Sequence, residues 1–301
     1  MKHAASVQHL AALRGKRIAV YGLGNLGRHV IALLESLADE LNLVPVAMDR
    51  SNFSELLKGE PVDLLIHCAG PTGDFRKRVL DTADAAISAT IAMLRAGFIR
   101  ERLVCVSSVR IYGFSDFVDV LFDEAQPPRT KHTTLDFAYD GTKQLLENLT
   151  IFGTKEVGIS GVVVRLSNLI GGEVRPERAA MLHHAMLAAS VCPVKRLETG
   201  QHTASSKDYL HVQDAAYGLL LAAALGLNGN AYNIASGISI SAASLAQALG
   251  VELICADAAA RPCYSSISIE KARRELHFRP YFATREALFQ TMLAGAAHPN
   301  P

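Results

Sequence analysis

Short apolar runs rich in β-branched residues recur through the first two thirds of the chain, and longer segments of helical periodicity separate them. Lys16 to Tyr21, Leu43 to Met48, Pro61 to Gly70, Leu103 to Ser107 and Gly161 to Gly171 contain these runs. They are too short for core helices and show little polar alternation, which marks strands buried on both faces. Residues 1–14 read as a helical lead-in. Leu26 to Leu37, Ser51 to Lys58, Phe75 to Ala96, Tyr139 to Asn148 and Arg178 to Ala189 read as helices. Strands alternating with helices predict a parallel sheet covered on both faces. After Gly172 the pattern changes to helices with short strands: a strand at Ala231 to Ile234, a helix opened by serine caps at Ser239 to Leu249, and a helix ending near Leu225 that Asp214 can cap.

Composition changes this picture little. Half of the 301 residues are hydrophobic, and 30 Lys and Arg against 29 Asp and Glu leave a net charge of +1. That balance gives no argument for nucleic acid or an anionic membrane surface. No apolar run is long enough to span a bilayer, and the N-terminus lacks the apolar core of a secretory signal. Five cysteines are scattered, and Cys68 and Cys105 fall in apolar runs where a buried free thiol is expected. A cytoplasmic location fits. No Cys/His spacing matches a metal site, and the adjacent pair His183-His184 reads as helix surface.

The first chemical signal is Gly22-Leu-Gly24-Asn25-Leu26-Gly27, which follows a strand and opens a helix. In that context the glycines permit a tight turn and close backbone approach, and the helix N-terminus faces a dinucleotide pyrophosphate. Asp49 closes the next strand, about 20 residues on, where a carboxylate accepts hydrogen bonds from the adenosine ribose. It favours NAD, since it would repel a 2′-phosphate. Arg50 beside it could accommodate that phosphate, so NADP stays open, as does a plain solvated turn.

The second signal joins Ser107-Ser108 at the end of a strand to Tyr139 and Lys143, four residues apart on one helix face. A cation beside a phenol favours its ionised form, and a serine hydroxyl opposite can hold a carbonyl or alcohol oxygen in register. That trio suits proton removal coupled to hydride transfer at a carbinol carbon.

These residues resemble the extended short-chain dehydrogenase/reductases, the NAD-dependent epimerase/dehydratase family acting on nucleotide sugars. Ser108, Tyr112, Gly113, Tyr139 and Lys143 match its Ser-x-x-x-Tyr-Gly and Tyr-x-x-x-Lys motifs, and the likeness runs from Lys16 to Pro280. It implies that the loop Cys68-Ala69-Gly70 passes over the cofactor, and that Asn168, in an Arg-x-x-Asn-h-h-Gly segment, meets substrate. Arg165 of that segment reads equally as a strand-end ion pair. The resemblance also places Ser108, Arg110, Lys207 and Arg261 on the substrate side, and makes His211 and Asp214 structural. His67, in the segment before the loop, reads as a structural histidine. The chain departs from the family in several places. Tyr21 replaces a glycine, Thr82 to Ile87 lacks the relay Asn, Ser108-Val-Arg lacks the acidic pair of the dehydratases, Lys207 replaces Arg, Cys263-Tyr264 replaces Gly-Asp, and the third strand after Asp49 looks missing or much reduced.

The expected fold is therefore a doubly wound parallel sheet, a Rossmann fold, with a smaller interleaved C-terminal lobe. Residues 15–170 and 203–235 would hold the dinucleotide; 171–202 and 236–301 would form the substrate lobe, with Phe114 to Leu135 on the cleft rim. The expected activity is epimerisation or oxidoreduction of a nucleotide-activated sugar, with Tyr139 as general base and NAD (NADP possible) as cofactor. An NADPH-dependent keto-sugar reductase and a non-catalytic dinucleotide sensor are the alternatives. The family tends to dimerise through two helices, so a homodimer is expected.

Overall fold

The computed structural model describes residues 7–70, 80, 84–129, 137–172 and 182–297. After a 3-10 turn at Val7–Leu13, the chain enters β1 (Arg17–Tyr21), the helix Asn25–Ser36, β2 (Val44–Met48), β3 (Val62–His67) and β4 (Ile99–Ser108). Beyond the short β5 (Leu121–Phe122) come the helix Phe137–Asn148 and β6 (Ser160–Leu166). Together with β10 (Asn230–Ile234), these long strands form one parallel sheet in the order β10-β6-β4-β3-β1-β2. The chain leaves β1 outward to β2, then returns to the other side as β3. The carboxyl ends of β1 and β3 therefore face a crevice where the winding reverses.

Both faces of the sheet are buried, which is why its strands read as continuous apolar runs. Ile18, Val20, Leu64, Ile66, Val104, Val162 and Val164 pack against the helices Asn25–Ser36 and Val212–Leu225. Ala19, Tyr21, Leu65, Met48 and Leu103 face the helix Ala89–Arg95 and its surroundings. Tyr21 adds its ring to this second face, 5.5 Å from Phe53 and 5.1 Å from His67. Between β2 and β3 only the helix Phe53–Lys58 intervenes, so β2 is the sheet edge and the reduction expected after Asp49 is real. At the opposite edge, Glu124 Oε1 accepts from the Asn233 backbone N–H at 2.6 Å and ties the loop after β5 to β10.

A second sheet carries the order β11-β9-β13-β5, from β9 (Ser206–His211), β11 (Ser239–Ser241) and β13 (Tyr264–Ile267), with β7 (Asn168–Ile170) also pairing β9. β8 (Arg196–Thr199) pairs β12 (Glu252–Cys255). The stretch 203–235 thus contributes β9 to the second sheet and β10 to the main one, so the two lobes interleave more finely than the stretch boundaries. Among the described residues no helix is long and apolar enough to cross a membrane.

Several local expectations change. His183 and His184 are buried in the helix Leu182–Ser190, not on its surface, with rings 4.3 Å apart and His183 edge-on to Tyr209. That helix packs against Ala242–Leu249, Arg285–Ala297 and β8 in the second lobe. The cap of Val212–Leu225 is His211, whose Nδ1 accepts from the Gln213 N–H at 3.3 Å. Asp214, fully buried, instead accepts from the backbone N–H groups of Tyr281 (2.9 Å) and Phe282 (3.1 Å), fastening the C-terminal segment to the main body. The helix expected from Phe75 falls partly outside the described residues; its described part opens as a π-helical turn, Asp84–Ser88. Ser241 caps Ala242–Leu249 as a serine there was expected to. Cys68 and Cys105 are free thiols, and burial pushes both up to about 12.

Candidate active site

The crevice between β1 and β3 is built by backbone contact. Gly22 has φ +97°, and a Cβ there would stand 2.4 Å from the Ala69 nitrogen, so only glycine lets the two loops touch. A Cβ on Gly27 would stand 2.0 Å from the Gly22 carbonyl oxygen, so the helix also leans on the loop. Gly24 differs: a Cβ there would meet nothing within 4 Å. Gly24 is the N-cap of Asn25–Ser36 and supplies no side chain to its N–H groups. An open space in front of an uncapped helix N-terminus is what a pyrophosphate requires. Asn25 and Leu26 are buried, and Asn25 Nδ2 donates to the Gly171 carbonyl at 3.2 Å, linking this loop to the start of the second lobe.

Asp49 ends β2 in a tight turn. Its Oδ1 accepts from the Ser51 N–H (2.8 Å) and hydroxyl (2.6 Å), and these bonds hold the carboxyl below its ordinary range. Arg50 is exposed beside it. On the other side of the crevice, the Cys68 N–H donates to the Tyr21 carbonyl at 2.8 Å. His67 is fully buried, and burial, with the Lys143 charge adding to it, pushes its pKa down to about 3. It is a neutral structural histidine, as its place at a strand end implied.

Ser108 ends β4, and the helix that carries Tyr139 and Lys143 packs against that strand. Lys143 is 4 % exposed, and its Nζ donates to the Val106 carbonyl at 2.7 Å. The same Nζ would lie 3.3 Å from a Cβ on Gly70, so the ammonium sits under the loop after β3. It is 6.0 Å from the centroid of the Tyr139 ring. Ser108 caps a 3-10 turn, Val109–Tyr112, and its Oγ accepts from the Arg110 N–H at 3.2 Å. Arg110 Nε in turn donates to Asp140 Oδ1 at 3.0 Å, which ties the serine turn to the tyrosine helix. Gly113 closes the turn at φ +80°.

Behind the trio lies a buried polar network. Arg165 pairs with Glu147, and its NH1 donates to the Tyr112 hydroxyl at 2.8 Å; that hydroxyl donates to Asn233 Oδ1 at 2.9 Å. Arg165 is therefore the strand-end ion pair of the two readings open for it. Asp140 and Glu147 were missed in the sequence. Glu147 stands four residues after Lys143, one turn along the same helix face, and that spacing was the available signal.

The remaining residues lie on the second sheet and its border. Asn168 Nδ2 donates to the Asp208 carbonyl at 2.9 Å, joining β7 to β9. Lys207, on β9, points its ammonium over the Phe114 ring at 5.5 Å. Burial lowers its pKa, the Cys263 side chain opposes that, and the Arg110 cation adds to it. Arg110 and Lys207 thus come from different sheets to one side of the site. Arg261 is exposed on the loop before β13, and no contact among the described residues joins it to Tyr139 or Lys143.

Residues 10–235 match the NAD dependent epimerase/dehydratase family. The chain belongs to that family of enzymes. Comparison with curated proteins finds no match. Among solved structures, the epimerase/dehydratase chain is similar to RMD from Pseudomonas aeruginosa complexed with NADPH (TM-score 0.76, 21 % identity, 93 % of this chain and 98 % of that one). It is similar to an epimerase from Methanothermobacter thermautotrophicus (TM-score 0.77, 21 %, 97 % and 95 %). It is also similar to UDP-glucose 4-epimerase with UDP-glucose from Thermotoga maritima (TM-score 0.73, 16 %, 93 % and 98 %). At these identities the likeness shows the shared fold, end to end, and the family match shows the class of chemistry.

Proposed function

We propose that this epimerase/dehydratase family member binds NAD, or NADP, across the crevice between β1 and β3 and oxidises and re-reduces a carbinol carbon of a nucleotide-activated sugar. The observation that carries the reading is Lys143, buried between the Val106 carbonyl and Gly70 and one helical turn from Tyr139. A buried ammonium there can lower the cost of ionising the phenol. Tyr139 then takes the hydroxyl proton and Ser108 holds the oxygen. The nicotinamide supplies the site that accepts and returns hydride. Gly22, Gly24, Gly27 and the backbone at Asn25 and Leu26 would hold the pyrophosphate, Asp49 or Arg50 the adenosine ribose, and Cys68, Ala69 and Gly70 the nicotinamide side.

Arg110, Asn168, Lys207 and Arg261 would bind the substrate, with Lys207 the candidate for its phosphates. UDP-glucose in the Thermotoga protein is consistent with such a substrate class. The reading extends to a cytoplasmic homodimer paired through the segments Ala83 to Ala96 and Thr142 to Phe152, of which Leu145 and Phe152 are exposed.

The second reading, a reductase using NADPH, is favoured by one observation: both recorded bonds to Asp49 Oδ1 come from its own turn, and Arg50 beside it is exposed. The deciding experiment denatures the purified protein and identifies the released dinucleotide by mass spectrometry, then repeats turnover assays with Tyr139→Phe. Retained NAD and a Tyr139→Phe variant that binds dinucleotide without turnover are expected. An empty site that takes up NADPH reversibly would establish the second reading. Unchanged turnover in the variant would overturn both.

A further inference from the structure

The turn that carries Ser108 and the helix that carries Tyr139 share one ion pair, Arg110 Nε to Asp140 Oδ1 at 3.0 Å. Arg110 lies two residues after Ser108, and its backbone N–H donates to the Ser108 hydroxyl. Asp140 lies next to Tyr139, with a side chain 4 % exposed. The Arg110 guanidinium carbon is 5.6 Å from the centroid of the Tyr139 ring. The pair therefore joins the two halves of the site through residues one and two positions from Tyr139 and Ser108.

We propose that Arg110 and Asp140 form a positioning pair that fixes the Ser108 hydroxyl relative to the Tyr139 phenol and balances the charge beside that phenol. A carboxylate as buried as Asp140 needs partners, and Arg110 is one that the fold brings to it. Alone, the Asp140 carboxylate would oppose ionisation of Tyr139; alone, the Arg110 cation would favour it. Paired, the two charges act on the phenol in opposite directions.

Among the described residues, the Arg110 guanidinium from the turn after β4 and the Lys143 ammonium from the same helix stand over the Tyr139 ring, and Asp140, next to Tyr139 in sequence, pairs with Arg110. His67 and Cys68, at the end of β3, couple to Lys143, and Lys207 on β9 couples to Arg110. Of these, Asp140 is the only carboxylate.

The inference deepens the proposed function, since it takes Tyr139 as the phenol that ionises, but its test needs no substrate. The chain has no Trp and eight Tyr, so the tyrosinate ultraviolet band is open to titration. The difference between each protein and its own Tyr139→Phe counterpart isolates Tyr139. Arg110→Gln is expected to raise the Tyr139 midpoint by about one pH unit, and Asp140→Asn to lower it by about as much. The double variant should return close to wild type. Arg110→Lys, which keeps the charge, should leave the midpoint in place even if Asp140→Asn does not fold. Equal midpoints in Arg110→Gln and Arg110→Lys, or shifts of the same sign in the two single variants, would reduce the pair to an ordinary structural contact and overturn the inference. Opposite shifts in a protein that turns over no sugar would overturn the proposed function and leave the pair standing.

Discussion

Arg165 holds Glu147 with two nitrogens of its fork: Nε meets Oε1 at 3.1 Å and NH2 meets Oε2 at 2.8 Å, with both side chains under a tenth exposed. The pair pins the tyrosine helix to β6, next to the edge strand β10. Through the Tyr112 hydroxyl and Asn233 it reaches the turn after Ser108 and the edge strand β10. Burial pushes the Tyr112 phenol up to about 12, so it stays protonated and can donate onward.

Breaking this pair from one side should cost far more than removing it whole. Glu147→Ala leaves Arg165 buried and uncompensated, and about 3–5 kcal/mol of stability should go with it. Glu147→Leu combined with Arg165→Met removes both charges and keeps apolar volume, so the double variant should be more stable than Glu147→Ala. Urea unfolding of the three proteins measures this. A double variant less stable than the single would mean that the network as a whole, rather than the unpaired charge, sets the cost.

The glycines of the first loop should separate into two kinds. Gly24→Ala meets no protein atom and has an ordinary φ of −72°, so stability should change by no more than about 1 kcal/mol while dinucleotide affinity falls sharply. Gly22→Ala must adopt a positive φ against the Ala69 backbone and should be destabilised by more than about 2 kcal/mol. Thermal unfolding and dinucleotide titration of both variants check this. A Gly24→Ala protein with intact affinity would show that the open space in front of the helix is not the pyrophosphate site.

Asp208 gives a pH dependence with a definite sign. Burial raises its carboxyl to about 6, despite the Ser167 hydroxyl and the Ser236 N–H, which lies 3.0 Å from Oδ1. Below about pH 4 it is protonated in both folded and unfolded chains. Between about pH 4 and about pH 6 only the unfolded chain releases the proton, so each rise in pH favours unfolding, by about 3 kcal/mol in all. Above that window both states are ionised and the loss is complete. Asp208→Asn should remove this slope, so its stability relative to wild type should climb from pH 4 to pH 6 in urea titrations. A constant difference between the two proteins across that range would mean that Asp208 titrates normally.

The fold was legible because burial on both faces leaves a direct trace in sequence. Val162 to Val164 and Ile18 to Tyr21 read as strands for the same reason that they are buried: two helical layers cover the sheet. The glycine loop was legible because Gly22 and Gly27 are forced by close backbone approach, which no other residue permits. His183 and His184 misled because polarity is only a prior for exposure. Nothing local records that Ala242–Leu249 and Arg285–Ala297 pack against their helix. Asp214 misled for a related reason: it stands in the first turn of a helix, where caps belong, but its partners Tyr281 and Phe282 lie far along the chain.

By itself, then, the sequence determined the strands and parallel order of the main sheet, and it put Ser108, Tyr139 and Lys143 forward as the candidate trio. Strand burial, glycine contacts and helix periodicity are local properties, written in spacings of two to four residues. Only the tertiary structure decided which charges meet. Arg110 with Asp140, Arg165 with Glu147 and Lys207 beside Arg110 each join segments distant in sequence. Whether a charge is buried, and against what, depends on where the chain returns in space, and short-range pattern carries no record of that return.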